Sequence, residues 1–365
     1  MATIIITTAV VTAFTGFLAL LLTIAENTIA NYGEVNIVIN DDKEYVVQGG
    51  ASLLSTLISQ NIFIPSACGG RGTCGYCKVK VLEGGGPVLP TELPWLTEDE
   101  LNDNMRLACQ CKVKENMKIE IPEELFNVRE YETVVELIED MTPEIKKVRL
   151  RLKEGEEIDF KPGQYIQLKV PIYEGNDEEV YRAYSIATPP SIKNYIDLYI
   201  GYTGGIATTY IHKFLQEGDT VYINGPYGDF YYHDNPDKEM VMVAVGTGMA
   251  PILSILRYMK ENNIQRKATF YFGAKTPIDL FELELMEELE KELHNFKFIP
   301  TLSRVKEEHK WTGERGRVNI ALEKYVDNGD NKEAYLCGSP AMIDTVVEVL
   351  TKKGFTEDTI YYDKF

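Results

Sequence analysis

Three cysteines and four glycines crowd SACGGRGTCGYCKVK, residues 66–80, a stretch with few core-forming side chains. A disulfide framework spreads its cysteines between elements, whereas this run aims Cys68, Cys74 and Cys77 at one point. With Cys109 further along, four thiolates suit a metal centre in a reducing compartment. Structural zinc sites usually come as two short knuckles, and here the fourth cysteine is expected alone on a strand. The four histidines, His212, His233, His294 and His309, lie far away in sequence, which excludes a mixed His/Cys iron–sulfur site.

The spacing C-x5-C-x2-C followed by a lone cysteine resembles the plant-type [2Fe–2S] ferredoxin pattern, and the extra loop residue matches its adrenodoxin-like variant. Gly69, Gly70, Gly72 and Gly75 let the backbone curl over a cluster and offer N–H groups to its sulfurs. Cys111 competes with Cys109 for the fourth position, because residues two apart on a strand share a face. RLAC, ending at Cys109, resembles the fourth-ligand segment of that ferredoxin group, which implies Cys109 as ligand and Cys111 as a packed thiol.

Two motifs further on belong to flavin chemistry. RAYS, residues 182–185, resembles the R-x-Y-S signature of the ferredoxin–NADP reductase superfamily. That resemblance implies that Arg182 meets a flavin phosphate, Tyr184 covers the isoalloxazine and Ser185 faces N5. Alternation along a strand places Arg182 and Tyr184 on one face and Ser185 on the other, unless the strand end twists. In GGIATTYI, Gly205 and Thr208 match the superfamily's G-x-x-S/T turn, where a helix start and its hydroxyl hold the FAD pyrophosphate.

A third group suits a nicotinamide nucleotide. Gly246, Thr247 and Gly248 follow an apolar run and precede Pro251, which fits a first helical turn. The whole resembles the superfamily's G-x-G-x-A-P motif. LCGSPAMI resembles its C-G-x-P-x-M segment, which implies Cys337 beside the nicotinamide, followed by Gly338. Ser185 and Cys337 are thus the candidate catalytic positions, and the terminal Phe365 is implied as a shield over the flavin. On the loop GAKTPIDLFELE, Lys275 and Thr276 suit a phosphate. Asp279, Glu282 and Glu284 suit a ribose diol or equally the solvated face of the next helix, and it is the family resemblance that implies NADH.

These groups need elements to position them. Val35, Ile37 and Ile39 alternate, Asp41-Asp42 turns, and Tyr45 and Val47 resume: a hairpin. SLLSTLISQ predicts a short helix, and CKVKVLE, MRLACQCKV and MKIEIP predict strands, giving a ferredoxin-like β-grasp domain over residues 33–125. YETVVELIED, IKKVRLRLK, GQYIQLKV, VYRAYSIAT and YIDLYIGYT predict an antiparallel β-barrel, the FAD domain, over 127–235. Strands EMVMVAV, ATFYFGA, FKFIPTL and EAYLCGS alternate with helices, predicting a parallel α/β NAD domain over 237–365.

At 365 residues there is ample material for several cores, and a net charge of −19 excludes nucleic acid as an expected partner. Residues 2–25 carry no charged side chain, long enough for a transmembrane helix, so residues 1–26 are expected to be an anchor. A cleaved signal peptide would open with Lys or Arg, and this segment has none.

Anchor, cluster, flavin and nicotinamide domains in that order, with GGGPVLPTEL, RLACQ and RAYS, resemble the F subunits of the sodium-translocating NADH:quinone oxidoreductases. The resemblance implies that NADH passes hydride to FAD, the flavin releases electrons singly to the [2Fe–2S] cluster, and the cluster serves other membrane subunits. Quinone, as ubiquinone, is then the final acceptor and sodium transport the coupled process. It implies a single pass through the cell inner membrane with the catalytic domains cytoplasmic. Between GQYIQL and RAYS the chain keeps only KVPIYEGNDEEVY, shorter than that family's segment. Two other classes stay open at this level: the reductase component of an oxygenase, which normally lacks an anchor, and a non-catalytic electron-transfer module, which would not need Gly246 or Cys337.

Overall fold

The computed structural model describes residues 2–28 and 32–364, without the side chains of 2–5, 9, 21–28 and 127. Two units form, Met1–Asn127 and Val128–Phe365.

The first unit opens with α1 (Ala2–Thr28). Among the described residues no helix is long and apolar enough to cross a membrane. The fold therefore does not bear out the expected span, part of which lies outside the described residues.

Next come β1 (Glu34–Ile39) and β2 (Lys43–Gln48), the expected hairpin, with Ile37 opposite Tyr45. Helix α2 (Leu53–Ser59) is capped by Ser52, whose hydroxyl accepts from the Ser55 N–H at 3.1 Å. Its Leu53, Leu54 and Leu57 are buried in the same core as Ile37 and Ile39 of the sheet. Then follow β3 (Lys78–Glu83), α3 (Glu98–Asn102), β4 (Met105–Leu107) and β5 (Met117–Glu120). The sheet order is β2-β1-β5-β3-β4, with β1 parallel to β5 and the other pairs antiparallel. One expectation needs correcting. Cys109 is not on a strand: β4 ends at Leu107, whose carbonyl accepts the N–H groups of Gln110 (2.8 Å) and Cys111 (3.0 Å) in a turn. Strand alternation therefore never applied to Cys109 and Cys111.

The second unit begins with β6 (Arg129–Thr142), β7 (Ile145–Leu152), β8 (Tyr165–Val170), β9 (Val180–Ser185), β10 (Tyr195–Gly201), α4 (Ile206–Lys213) and β11 (Thr220–Tyr227). All pairs in the order β10-β7-β6-β11-β8-β9 are antiparallel. A bridge from Ile186 to Leu198 and a bond from the Ala187 N–H to the Asp197 carbonyl (2.9 Å) join the two ends, so the sheet is barrel-like. An α/β sheet follows: β12 (Glu239–Val245), α5 (Met249–Glu261), β13 (Ala268–Ala274), α6 (Leu283–Glu292), β14 (Phe296–Leu302), β15 (Glu314–Arg315), α7 (Val318–Tyr325), β16 (Lys332–Gly338), α8 (Pro340–Lys352) and β17 (Ile360–Lys364). The order β15-β14-β13-β12-β16-β17 is wholly parallel. The chain winds from β12 outward through β13, then returns to β12's other side at β16. Ligands of such sheets bind at that switch, beyond the strands' carboxyl ends.

Candidate functional site

The cysteine loop brings its thiols together in two pairs. Cys74 Sγ lies 3.4 Å from Cys68 Sγ, and Cys77 shares a hydrogen bond with Cys109. Within each pair the hydrogen bond favours the thiolate on one sulfur, Cys68 (pushed down to about 4) and Cys109 (down to about 7). The partners Cys74 and Cys77 are pushed up by the same bonds and by burial. Backbone N–H groups of Arg71 and Thr73 serve Cys68, that of Tyr76 serves Cys74, and that of Gly72 serves Cys109. Gln110 Nε2 adds a bond to Cys109 Sγ at 3.5 Å. Glycine is required at two points of the loop. Gly72 and Gly75 have φ of +71° and +72°, and a Cβ there would meet Gln110 at 2.7 Å and the Trp95 ring at 2.9 Å.

Among the described residues no three His, Cys, Asp or Glu side chains gather around one ion. Two thiols per iron, in two pairs, is instead the donor set of a two-iron cluster, and these residues fit one. Cys111 stands apart, buried, with its Sγ 3.6 Å from the Gly85 carbonyl.

A buried ion pair holds the loop's neighbours. Arg106 donates through Nε to Glu92 Oε1 (2.9 Å) and through Nη2 to Oε2 (2.7 Å). Its other N–H groups reach the carbonyls of Gly85, Gly86 and Pro87 at 2.8–3.1 Å. Glu92 in turn accepts the N–H groups of Leu89 and Leu107. GGGPVLPTE and RLAC, separated by thirteen residues, are thereby one structural piece.

In the second unit, β9 pairs with β8 without a break: Arg182 opposite Leu168, Tyr184 opposite Ile166 and Ser185 opposite Tyr165. The regular register keeps Arg182 and Tyr184 on one face and Ser185 on the other. Arg182 Nη1 donates to the Tyr181 carbonyl at 2.7 Å, and burial pushes the Tyr184 phenol up. Gly205 caps α4 without a side-chain bond, leaving the first helical N–H groups open to an anion. Thr208 Oγ1 stands there, accepting from the Thr203 N–H (3.2 Å) and donating to the Gly205 carbonyl (3.2 Å). Phe365 lies outside the described residues.

A cavity of about 700 Å³ opens at the switch point, lined from the barrel by Glu144 and Gly201–Thr203. From the sheet come Gly246, Thr247, Lys275, Asp279, Arg317 and Met342. Gly248, Pro251, Cys337 and Gly338 are buried and do not line it. Gly248 packs directly on the Cys337 backbone: a Cβ would meet the Cys337 carbonyl oxygen at 2.3 Å. The Cys337 thiol is fully buried, which pushes its pKa up. Of the acids after β13, only Asp279 borders the cavity. It accepts from the N–H (2.8 Å) and hydroxyl (2.7 Å) of Thr276. Glu282 receives the Tyr199 hydroxyl, and Glu284 is exposed. Sequence reasoning missed Arg317 and Glu144, whereas Met342 is the methionine of the C-G-x-P-x-M segment. Gly316, with φ of +109° just before α7, was the available sign of a turn at Arg317.

Three family models match the chain in order. They are described as a 2Fe-2S iron-sulfur cluster binding domain (residues 37–114), an oxidoreductase FAD-binding domain (132–232) and an oxidoreductase NAD-binding domain (242–348). The F subunit of the Na(+)-translocating NADH-quinone reductase of Psychrobacter arcticus is 36% identical, over 96% of this chain and 95% of its own length. Its namesake in Neisseria gonorrhoeae is 36% identical, over 95% and 96%. Among solved structures, an Amycolatopsis cytochrome P450 reductase superposes with a TM-score of 0.72 at 26% identity, covering 91% of this chain and 98% of that one. The ferredoxin reductase of carbazole 1,9a-dioxygenase shares the fold at a TM-score of 0.69 and 22% identity, covering 91% and 98%.

Proposed function

Because the chain belongs to the family of F subunits of the Na(+)-translocating NADH-quinone reductases, we propose that it is the NADH-oxidising, membrane-anchored member of a multisubunit complex. It hands electrons to a neighbouring membrane protein of that complex, with quinone as the final acceptor. The chain is an oxidoreductase that uses NADH, FAD and a [2Fe–2S] cluster. When bound, FAD would supply hydride acceptance from NADH and one-electron release toward the cluster.

The residues divide the work. The thiol pairs Cys68–Cys74 and Cys77–Cys109 would hold the two-iron cluster. Thr208 and the uncapped start of α4 would hold the flavin pyrophosphate, Arg182 a phosphate, Tyr184 would cover the ring, and Ser185, the last residue of β9, would reach the hydride-accepting atom where the strand and its alternation end. Gly246 and Thr247 admit the nucleotide to the crevice. Buried Cys337 acts through packing beneath Gly248, shaping the nicotinamide end. Residues 33–125, 127–235 and 237–365 form the cluster, flavin and nicotinamide domains.

Helix α1 is the anchor. Ile6, Val10, Val11, Phe14, Phe17, Leu18 and Leu20 are all exposed on it, an apolar surface that a bilayer would cover. The catalytic parts face the cytoplasm, where NADH and iron–sulfur assembly reside.

One observation carries this reading: the thiol quartet, paired two and two, shares a chain with the flavin and nicotinamide parts. Anaerobic NADH titration of the full chain tests it. Flavin bleaching should be followed by a reduced-cluster EPR signal, and bleaching without the signal would sink the electron path. Deleting residues 1–26 should give a protein that reduces ferricyanide but no longer sediments with membranes. Loss of cofactors on truncation would refute the anchor role.

A further inference from the structure

A second cavity, of about 250 Å³, opens between the barrel and the α/β sheet and shares no lining residue with the cofactor crevice. It lies at the far end of α5: Arg257 and Lys260 sit about 12–16 Å along the helix from Met249, whose end faces the crevice.

Four cations border it, Lys147, Arg149, Arg257 and Lys260, in a chain of net charge −19. Two are engaged locally. Arg149 clasps the buried Asp197 at 2.7 and 2.9 Å, and Lys260 lies 2.9 Å from Glu292. The other bordering carboxylate, Glu261, accepts the Ser191 hydroxyl at 2.7 Å. Two cations keep unused donors. Arg257 makes one hydrogen bond, from Nη1 to the Ala187 carbonyl at 2.8 Å. Lys147 is ion-paired with Asp197 at 3.8 Å, too long for a hydrogen bond, and its side chain is only 14% exposed. Between these walls lies Thr188, 1% exposed, whose Oγ1 has no hydrogen-bond partner. A buried hydroxyl left without a partner costs stability, and cations with open donors favour an acceptor-only group.

We propose that this cavity binds the oxyanion end of a small carboxylate- or phosphate-bearing metabolite. Arg257 and Lys147 bind its oxygens, the Thr188 hydroxyl donates a third bond, and Ile192 and Leu285 take a short apolar body. The occupant would join β7 of the barrel to α5 of the sheet, across the seam between the flavin and nicotinamide parts.

Calorimetric titration of the cofactor-loaded full chain tests this, at constant ionic strength, with malonate, with inorganic phosphate, and with chloride as the control. Saturable binding of malonate or phosphate is expected, and which of them binds tells the carboxylate source from the phosphate source. Lys147→Gln and Thr188→Val should each weaken it at least about tenfold while leaving anion-free NADH:ferricyanide activity unchanged. Thr188→Val, which keeps the shape, should not lower the Tm of the anion-free protein. No saturable binding of either probe, binding undiminished in both variants, or a Tm lowered by Thr188→Val would overturn the assignment.

Discussion

Arg106 and Glu92 meet as a two-bond ion pair with both side chains almost wholly removed from water. Burial works against ionisation of Glu92, but the guanidinium and the N–H groups of Leu89 and Leu107 outweigh it and hold the carboxyl below its ordinary value of 4.5. Its stabilising contribution is therefore complete above pH 4.5 and is lost as the pH falls through the lower, folded value. Urea unfolding of the full chain against pH should show a falling stability below pH 4.5 that Glu92→Gln flattens. An unchanged slope would mean that other carboxylates govern the acid limb.

Removing one partner outright is a harsher test. Arg106→Ala strands Glu92 without its counter-charge and frees the carbonyls of Gly85, Gly86 and Pro87, at an expected cost of about 3–5 kcal/mol. The loop carrying Cys109 begins one residue beyond Leu107, whose N–H Glu92 holds at 3.0 Å. Arg106→Ala should therefore also lower cluster occupancy, read as iron per polypeptide.

The four-thiol assignment makes a sharper prediction. Alanine at Cys68, Cys74, Cys77 or Cys109 should abolish the reduced-cluster EPR signal while NADH still bleaches the flavin. Cys111→Ala should keep the signal, because its sulfur is 3.6 Å from the Gly85 carbonyl rather than paired with another thiol. An essential Cys111 with a dispensable Cys109 would reverse the choice.

What was legible in the sequence follows from what each signal measures. The β1–β2 hairpin was visible because one face is buried and alternation records that. Strand β11 was not: TVYINGPY carries Gly225 and Pro226, which read as turn punctuation, yet the strand tolerates them through an irregularity between Asn224 and Tyr227. Helix α7 is only eight residues long and offers too few turns to show a period. The Cys109 turn was missed because RLACQCKV has strand-like composition and only the carbonyl of Leu107 closes the turn. The cluster and glycine motifs were readable locally. The bordering residues Glu144 and Arg317 come from separate elements, and only the fold collects them.

Two neighbouring glycines should fail for different reasons. At Gly248 a methyl would strike the Cys337 backbone, so Gly248→Ala should cost about 1–3 kcal/mol and lower the Tm. Gly246, at φ +55°, has open space around a built Cβ, and that space is the cavity. Gly246→Ala should cost about 1–2 kcal/mol in backbone strain and raise the KM for NADH more than it lowers the Tm. Equal effects of the two substitutions on KM and Tm would contradict this division.

Nucleotide preference is decided where β13 ends. A 2′-phosphate needs cations or free hydroxyls there, whereas a ribose diol is served by a carboxylate. Lys275 borders the cavity, but its Nζ lies 3.3 Å from Glu144 Oε2, which offsets the charge a phosphate would use. The Thr276 hydroxyl already donates to Asp279 at 2.7 Å. Asp279 itself borders the cavity and would repel a phosphate at short range, while Glu282 and Glu284 are turned to other tasks. With the carboxylates of Asp279 and Glu144 set against Lys275 and Arg317 along the cavity, and Lys275 already paired with Glu144, the site should favour NADH by at least roughly tenfold in kcat/KM, a discrimination of about 1.4 kcal/mol. Asp279→Asn should narrow the gap, and adding Glu144→Gln, which releases Lys275, should narrow it further. Steady-state kinetics with both nucleotides decide it: equal efficiencies in the unaltered chain, or a gap indifferent to both substitutions, would place the discrimination elsewhere.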